Sequence, residues 1–341
     1  MKKIFVFWGI MILICPMVVK SQVLVSTVDE TFSGVTSIDV KGIFCSVELE
    51  AGATANVTLV GEIRAIKPYD DLKIKYTHRG NTLTVWVEIP PHITGQTKGF
   101  LRFTVPRNVL LKVENTSGKI VVNGIGSETI SLTTTAGSIN ANNIPCNAVL
   151  SSMTGAINCK TINGNMMASS TSGNIHAKGV KGFARIYCTT GSVNLDGVAN
   201  EANVITTTGT QFISGAHSNV SASASTGRIE LAGVKGIIKA TTTTGNITIN
   251  DASGEIEATT ESGAIKGHSV MVTGNSNFEG GSGNIEIELL NPSKTLSYNL
   301  KSTRGKLEAE NIRETKNLIV NQGATKITGT TTSGSQRYYR R

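Results

Sequence analysis

The residues of this chain that could do chemistry are few and far apart. Five histidines, His78, His92, His176, His217 and His268, have the range for acid–base work or metal binding, but their spacings place them in unrelated registers, which reads as surface or incidental positions. Asp196 and Asp251 are the only aspartates in the second half of the chain, where paired carboxylates would be needed. Polysaccharide lyases and hydrolases on parallel β-helices gather Asp, Lys and Arg on one face and wall a cleft with long loops. Here the connections are too short for such walls. No glycine-rich phosphate loop, serine-nucleophile elbow or calcium nonapeptide is present. Cys45, Cys146, Cys159 and Cys188 form no CxxC or Cys/His cluster. The expectation is no catalytic residue, no cofactor and no metal.

What must position any functional group is a repeat. Gly137, Gly155, Gly173, Gly191, Gly209, Gly227, Gly245 and Gly263 fall at seven consecutive intervals of 18 residues. With 36 glycines in 341 residues, such a run does not arise by chance. Gly118 precedes the series, and Gly283 and Gly305 extend it at longer intervals, so insertions gather toward the C-terminal end.

Small hydroxyl residues usually come before the glycine and alternating apolar residues after it, as in STSGNIHAKGV and TTTGNITINDA. Alternation at period two marks a strand with one buried face. The columns two, four and seven residues after the glycine read as inward, for example Ile139, Ala141 and Ile144. A second strand closes the period with inward residues seven and five before the next glycine, such as Ala184 and Ile186. A turn-like Gly, Asn or Asp separates the two strands in most repeats.

This pattern predicts an all-β fold, a single-chain parallel β-solenoid (β-helix) with about 18 residues per coil and glycines at the corners. One coil departs from it: Gln211 stands where Ile is expected after Gly209, and a local register slip would turn Phe212 inward. Cys159 and Cys188 read as buried free thiols in different columns, while a bridge between Cys45 and Cys146 stays open.

The organisation read from the sequence has four parts. Residues 1–21 form a secretory signal peptide, with Lys2 and Lys3, an apolar run from Ile4 to Val19, and Val19 and Ser21 suited to cleavage after Ser21; the alternative is a retained anchor. Ile14 before Cys15 and Pro16 after it do not suit lipoprotein processing. Residues 22–108 make a β-rich N-terminal cap or irregular first coils, holding Trp86 and a loop from Pro90 to Gly99. Residues 109–334 are the solenoid repeats, and 335–341 a basic, solvated tail with Arg337, Arg340 and Arg341. No transmembrane segment remains after signal cleavage. The formal charge of +8 falls to +5 without Lys2, Lys3 and Lys20, and no block of like charge marks a nucleic-acid partner.

The repeated TTxG and TSGxI units resemble the bacterial putative-adhesin family of β-strand repeat domains. The stretch FSGVTSIDVKGIFCSVELEAG, from Phe32 to Gly52, looks like the opening of the related head domain of putative autotransporter adhesins. The resemblance implies an extracytoplasmic bacterial β-solenoid and carries over no catalytic residue.

The functional expectation is a noncatalytic exported solenoid at the cell surface, in the periplasm or secreted. It would bind an unknown surface or envelope component, glycan or protein, through its extended faces as an adhesin or scaffold. Two alternatives stand beside it: a carbohydrate-active lyase or hydrolase, and an ice-binding solenoid suggested by Thr133 with Thr135 and Thr241 with Thr243, an array interrupted by Met153, Tyr187 and Ile205.

Overall fold

Alternating β-branched and polar residues favour extended backbone. The computed structural model, which describes residues 22–340, is built almost wholly of strands, with one short 3-10 turn at Ser293–Thr295 among the described residues. The leader read in residues 1–21 lies outside the described residues.

From Leu110 to Leu289 the chain winds as a parallel β-solenoid of about ten turns. Each strand pairs in register with its equivalent one turn later. Ile139, Ile157, Ile175 and Val193 form one ladder, and Ala148, Met166, Ala184 and Ala202 another. The columns predicted to face inward are buried, and the two strands of each coil close them into one narrow core. A coil has nothing of its own to pack against, so burial worth roughly 1.5–3 kcal/mol per large side chain is realised only between neighbouring coils.

Coil stacking also explains the glycines. A Cβ on Gly155 would overlap the carbonyl oxygen of Gly137, and one on Gly209 that of Gly191. Corner backbone lies directly on corner backbone, which leaves no room for a side chain. At several corners a hydroxyl three residues before the glycine ties the turn from inside, while Cys188 and Ala224 take that place before Gly191 and Gly227. Thr134 Oγ1 accepts the Gly137 N–H at 3.0 Å. Ser152 Oγ accepts the Gly155 N–H at 2.8 Å and donates to the Gly137 carbonyl at 3.3 Å, and Thr260 donates to the Gly245 carbonyl at 3.0 Å. The opposite turn is made six residues after the glycine, where the backbone is left-handed from Asn143 (φ 53°) to Ser269 (φ 54°).

The Gly209 coil does not slip. Gln211 stays in register between Val193 and Ile229 and is fully buried, while Phe212 points outward between Asn194 and Glu230. The inward amide is accommodated because Gln211 Nε2 donates to Thr206 Oγ1 at 2.9 Å and to the Ser223 carbonyl at 2.6 Å. Two hydrogen bonds to the coil's own hydroxyl column and the next coil's backbone outweigh a slip that would expose every inward residue of that strand.

Both ends of the solenoid are interleaved. The coil Ser37–Ile43 with Ser46–Ala51 lies between one made by Thr82–Glu88 with Thr97–Val105 and one made by Leu110–Asn115 with Ile120–Asn123. At the other end, Thr325–Thr331 and Gln336–Tyr339 insert between the Gly283 coil and the long strand Leu296–Ala309. Gly283 is therefore followed along the axis by Gly334 and only then by Gly305, a reversal of the chain order expected from the glycine series.

The basic tail is corrected too. Tyr338 is fully buried against the rings of Phe278 and Tyr298, and Gln336–Tyr339 is a solenoid strand rather than a solvated end. Its inward alternation, Gln336 and Tyr338, was hidden by the surrounding arginines.

Antiparallel strands cover the ends. Lys73–Arg79 pairs with Thr82–Glu88, Val23–Phe32 with Val57–Ala65, and Ile312–Val320 with Leu296–Ala309. Their charges and the bulge at Lys316 (φ 73°) blunt edges that would otherwise recruit another chain.

Candidate binding faces

The two strands of each coil stack into two flat faces. Their outward columns, not the core, carry what function the solenoid can perform.

On the first face, formed by the strands that precede the corner glycines, most outward positions are Ser or Thr, including Thr133, Thr135, Thr241 and Thr243. Four consecutive coils break that rule. Val149 lies in register beside Met167, Tyr187 beside Ile205, and Met153 stands at the adjoining corner. These five large apolar side chains are 38–54% exposed. With neighbouring Ser and Thr hydroxyls, Met153 and Tyr187 line a shallow groove of about 340 Å³. Sequence reading noted Met153, Tyr187 and Ile205 only as interruptions of a threonine array. The missing signal was that Val149 and Met167 occupy outward columns of the same coils.

On the second face, formed by the strands that follow the glycines, Asn142, Asn158, Lys160, His176, Lys178 and Asn194 surround another groove, of about 350 Å³. Lys178 Nζ sits 3.0 Å from Asp196, whose other oxygen accepts from Ser214 at 3.0 Å. The Lys178 ammonium, and after it the Ser214 hydroxyl, hold the Asp196 carboxyl below its ordinary range.

The histidines do not converge. His268 Nδ1 lies 3.6 Å from Glu288, His78 packs edge-on to Phe32, and His176 is exposed on the second face. Asp251 is one of the left-handed corner residues. Among the described residues no three His, Cys, Asp or Glu side chains are placed to hold a metal ion, and no helix is long and apolar enough to cross a membrane. Cys45, Cys146, Cys159 and Cys188, the four cysteines among the described residues, are free and buried, so the Cys45–Cys146 bridge left open by the sequence is not made. Burial pushes the Cys45 and Cys159 thiols up to about 12.

The Toastrack DUF4097 family matches residues 151–339, more than half of the chain and the whole run of corners from Gly155 onward. The chain belongs to the Toastrack DUF4097 family. The adhesin-type resemblance carried by the TTxG and TSGxI units agrees with this membership.

Two solved structures are similar to this Toastrack chain. One is described as a putative cell adhesion protein from Clostridium sporogenes, at 10% identity over 92% of this chain and 100% of that one, with a TM-score of 0.18. The other is described as a putative adhesin from Bacteroides fragilis, at 13% identity over 94% and 99%, with a TM-score of 0.26. At those scores neither bears on function. The curated proteins show no match.

Proposed function

We propose that this Toastrack protein is an exported, noncatalytic solenoid that holds a cell-surface or envelope component against its extended faces, as an adhesin or envelope scaffold. The observation that carries the reading is the run of exposed apolar residues Val149, Met153, Met167, Tyr187 and Ile205 over four successive coils, on a face whose other outward residues there are Ser, Thr, Asn and Arg185. Exposed apolar residues gathered on neighbouring coils among polar ones are a usual mark of a docking surface. In-register pairing on both sides of every strand holds it rigid, so little ordering entropy is lost on binding. Export is supported by the basic, apolar and small-residue succession of residues 1–21. The scatter of His176, His217 and His268 over different coils and columns supports a binder over an enzyme.

The test is co-sedimentation of the purified protein with envelope fractions and with immobilised host-matrix glycans and proteins. A variant carrying Met167→Ser, Tyr187→Ser and Ile205→Ser replaces the exposed apolar side chains with hydroxyls without touching the core. Retention of the wild type and loss of the variant are expected. Retention of neither, or of both equally, would sink the reading.

A further inference from the structure

The groove on the second face carries two cations stacked in register. Parallel register stacks Asn158, His176 and Asn194 in one outward column, and Lys160, Lys178 and Asp196 in the next. Lys178 is answered by Asp196. Among the described residues Lys160 has no ion-pair partner, and its in-register neighbours are Asn142 and Lys178. Like charges directly opposite one another at the ~4.8 Å strand spacing are destabilising. Some outward cations elsewhere meet an acid one coil away: Lys239 lies 3.1 Å from Glu257, and Arg337 lies 3.6 Å from Glu286. Lys160 and Lys178 form a stacked pair of cations facing open solvent beside a row of amides.

We infer that this groove binds a carboxylate-bearing polysaccharide, a polyuronate-type chain lying along the solenoid axis. Lys160 and Lys178 pair with its carboxylates, and Asn142, Asn158 and Asn194 with its hydroxyls. A side-chain amide supplies both donors and an acceptor, which is what neighbouring sugar hydroxyls require. A phosphate polymer offers chiefly acceptors and would leave the amide oxygens without donors. Single-stranded nucleic acid would call for aromatic platforms between the cations, and the groove lining holds only the His176 imidazole. Two ammonium groups, one of them shared with Asp196, match a chain carrying its charges one per sugar rather than densely. The ladder repeats along the axis as sugar rings repeat along a glycan, so successive coils meet successive residues. The inference rests on the binding role proposed above and specifies the ligand chemistry of one face.

The experiment is a calorimetric titration of the purified protein with polygalacturonate oligomers, alongside a neutral glucan of matched length, polyphosphate and single-stranded DNA at one ionic strength. Polygalacturonate is expected to bind, to weaken with added salt, and to bind about tenfold more weakly to the Lys160→Gln/Lys178→Gln variant. A Lys266→Gln variant on the same face is expected to bind as the wild type does. No polygalacturonate binding, equal binding of the neutral glucan, tighter binding of polyphosphate or DNA, or an unaffected double variant would each overturn the inference. If polygalacturonate fails while the envelope is still retained through the Tyr187 face, only the groove inference falls. Shortened oligomers would overturn the noncatalytic reading and leave the groove assignment standing if the double variant still binds more weakly.

Discussion

Gln211 donates its side-chain amide to Thr206 Oγ1 at 2.9 Å inside the core, five residues back along its own coil. Gln336 repeats the arrangement at the far end, donating to Thr331 Oγ1 at 3.1 Å and to the Lys301 carbonyl at 2.7 Å. In both cases the amide also reaches a backbone carbonyl of the neighbouring coil, that of Ser223 just before Ala224 and that of Lys301 just before Ser302. These two glutamines are polar cross-links in an otherwise apolar column, and the sequences TTTGTQ and TTSGSQ are their shared signature.

Truncating Gln211 to Ala opens a cavity and leaves the Thr206 and Ser223 oxygens without their amide donor, so a loss of roughly 2–3 kcal/mol is expected from urea titration. Gln211→Ile restores the residue type of the column and removes an amide oxygen that has no partner, and should stay within about 1 kcal/mol of the wild type. Equal, negligible effects of both substitutions would mean that position 211 faces solvent.

The corner glycines divide into two kinds by what surrounds them. At Gly155 a Cβ would overlap the Gly137 carbonyl, whereas at Gly197 (φ 75°) nothing lies within 3.7 Å and only backbone strain opposes it. Gly155→Ala is expected to lose about 3 kcal/mol and Gly197→Ala about 1 kcal/mol. The comparison is read from the shift in denaturation midpoint. The reverse ranking would contradict direct corner stacking.

Alkaline pH should weaken the fold through its thiols. Cys45 and Cys159 ionise at about 12 when buried, against about 8.5 in the unfolded chain. The unfolded state therefore sheds protons first, and the stabilisation, complete below about pH 8.5, is lost progressively up to about pH 12. Cys159 lies in register between Ala141 and Ala177. Cys159→Ala should thus be close to neutral at about pH 7 and lose less stability than the wild type at about pH 10.5. Parallel pH profiles would contradict the assignment.

Deleting residues 325–341 removes an interior coil, not the last one. The hairpin made by Leu296–Ala309 and Ile312–Val320 rests on that coil, so hydrogen exchange throughout 296–320 is expected to become fast, while the Gly191 and Gly209 coils stay protected. Persisting protection of 296–309 would show that this strand does not depend on the inserted coil.

The regular part of this molecule was legible because one coil is one sequence period: inward Ile157 and Ile175 sit 18 residues apart in the chain and side by side in space. The ends were not, since Ser37–Ile43 pairs with residues 82–86 and with 110–115, and Gly334 slots in before Gly305. Such pairings leave no fixed period to detect. Gln211 was misread because polarity was weighed without the Thr206 hydroxyl that receives it. The two grooves were hidden for another reason. Outward columns carry no folding constraint, and Lys160 and Lys178, or Val149 and Met167, become notable only once stacked.

The most direct test of binding through the first face is hydroxyl-radical footprinting with and without bound envelope material. Met153, Met167 and Tyr187 are exposed and oxidisable, and exposed Met271, outside the cluster, is an internal control. Protection of the first three with Met271 unchanged is the predicted result. Equal oxidation of Met153, Met167 and Tyr187 in the free and bound protein would contradict the account.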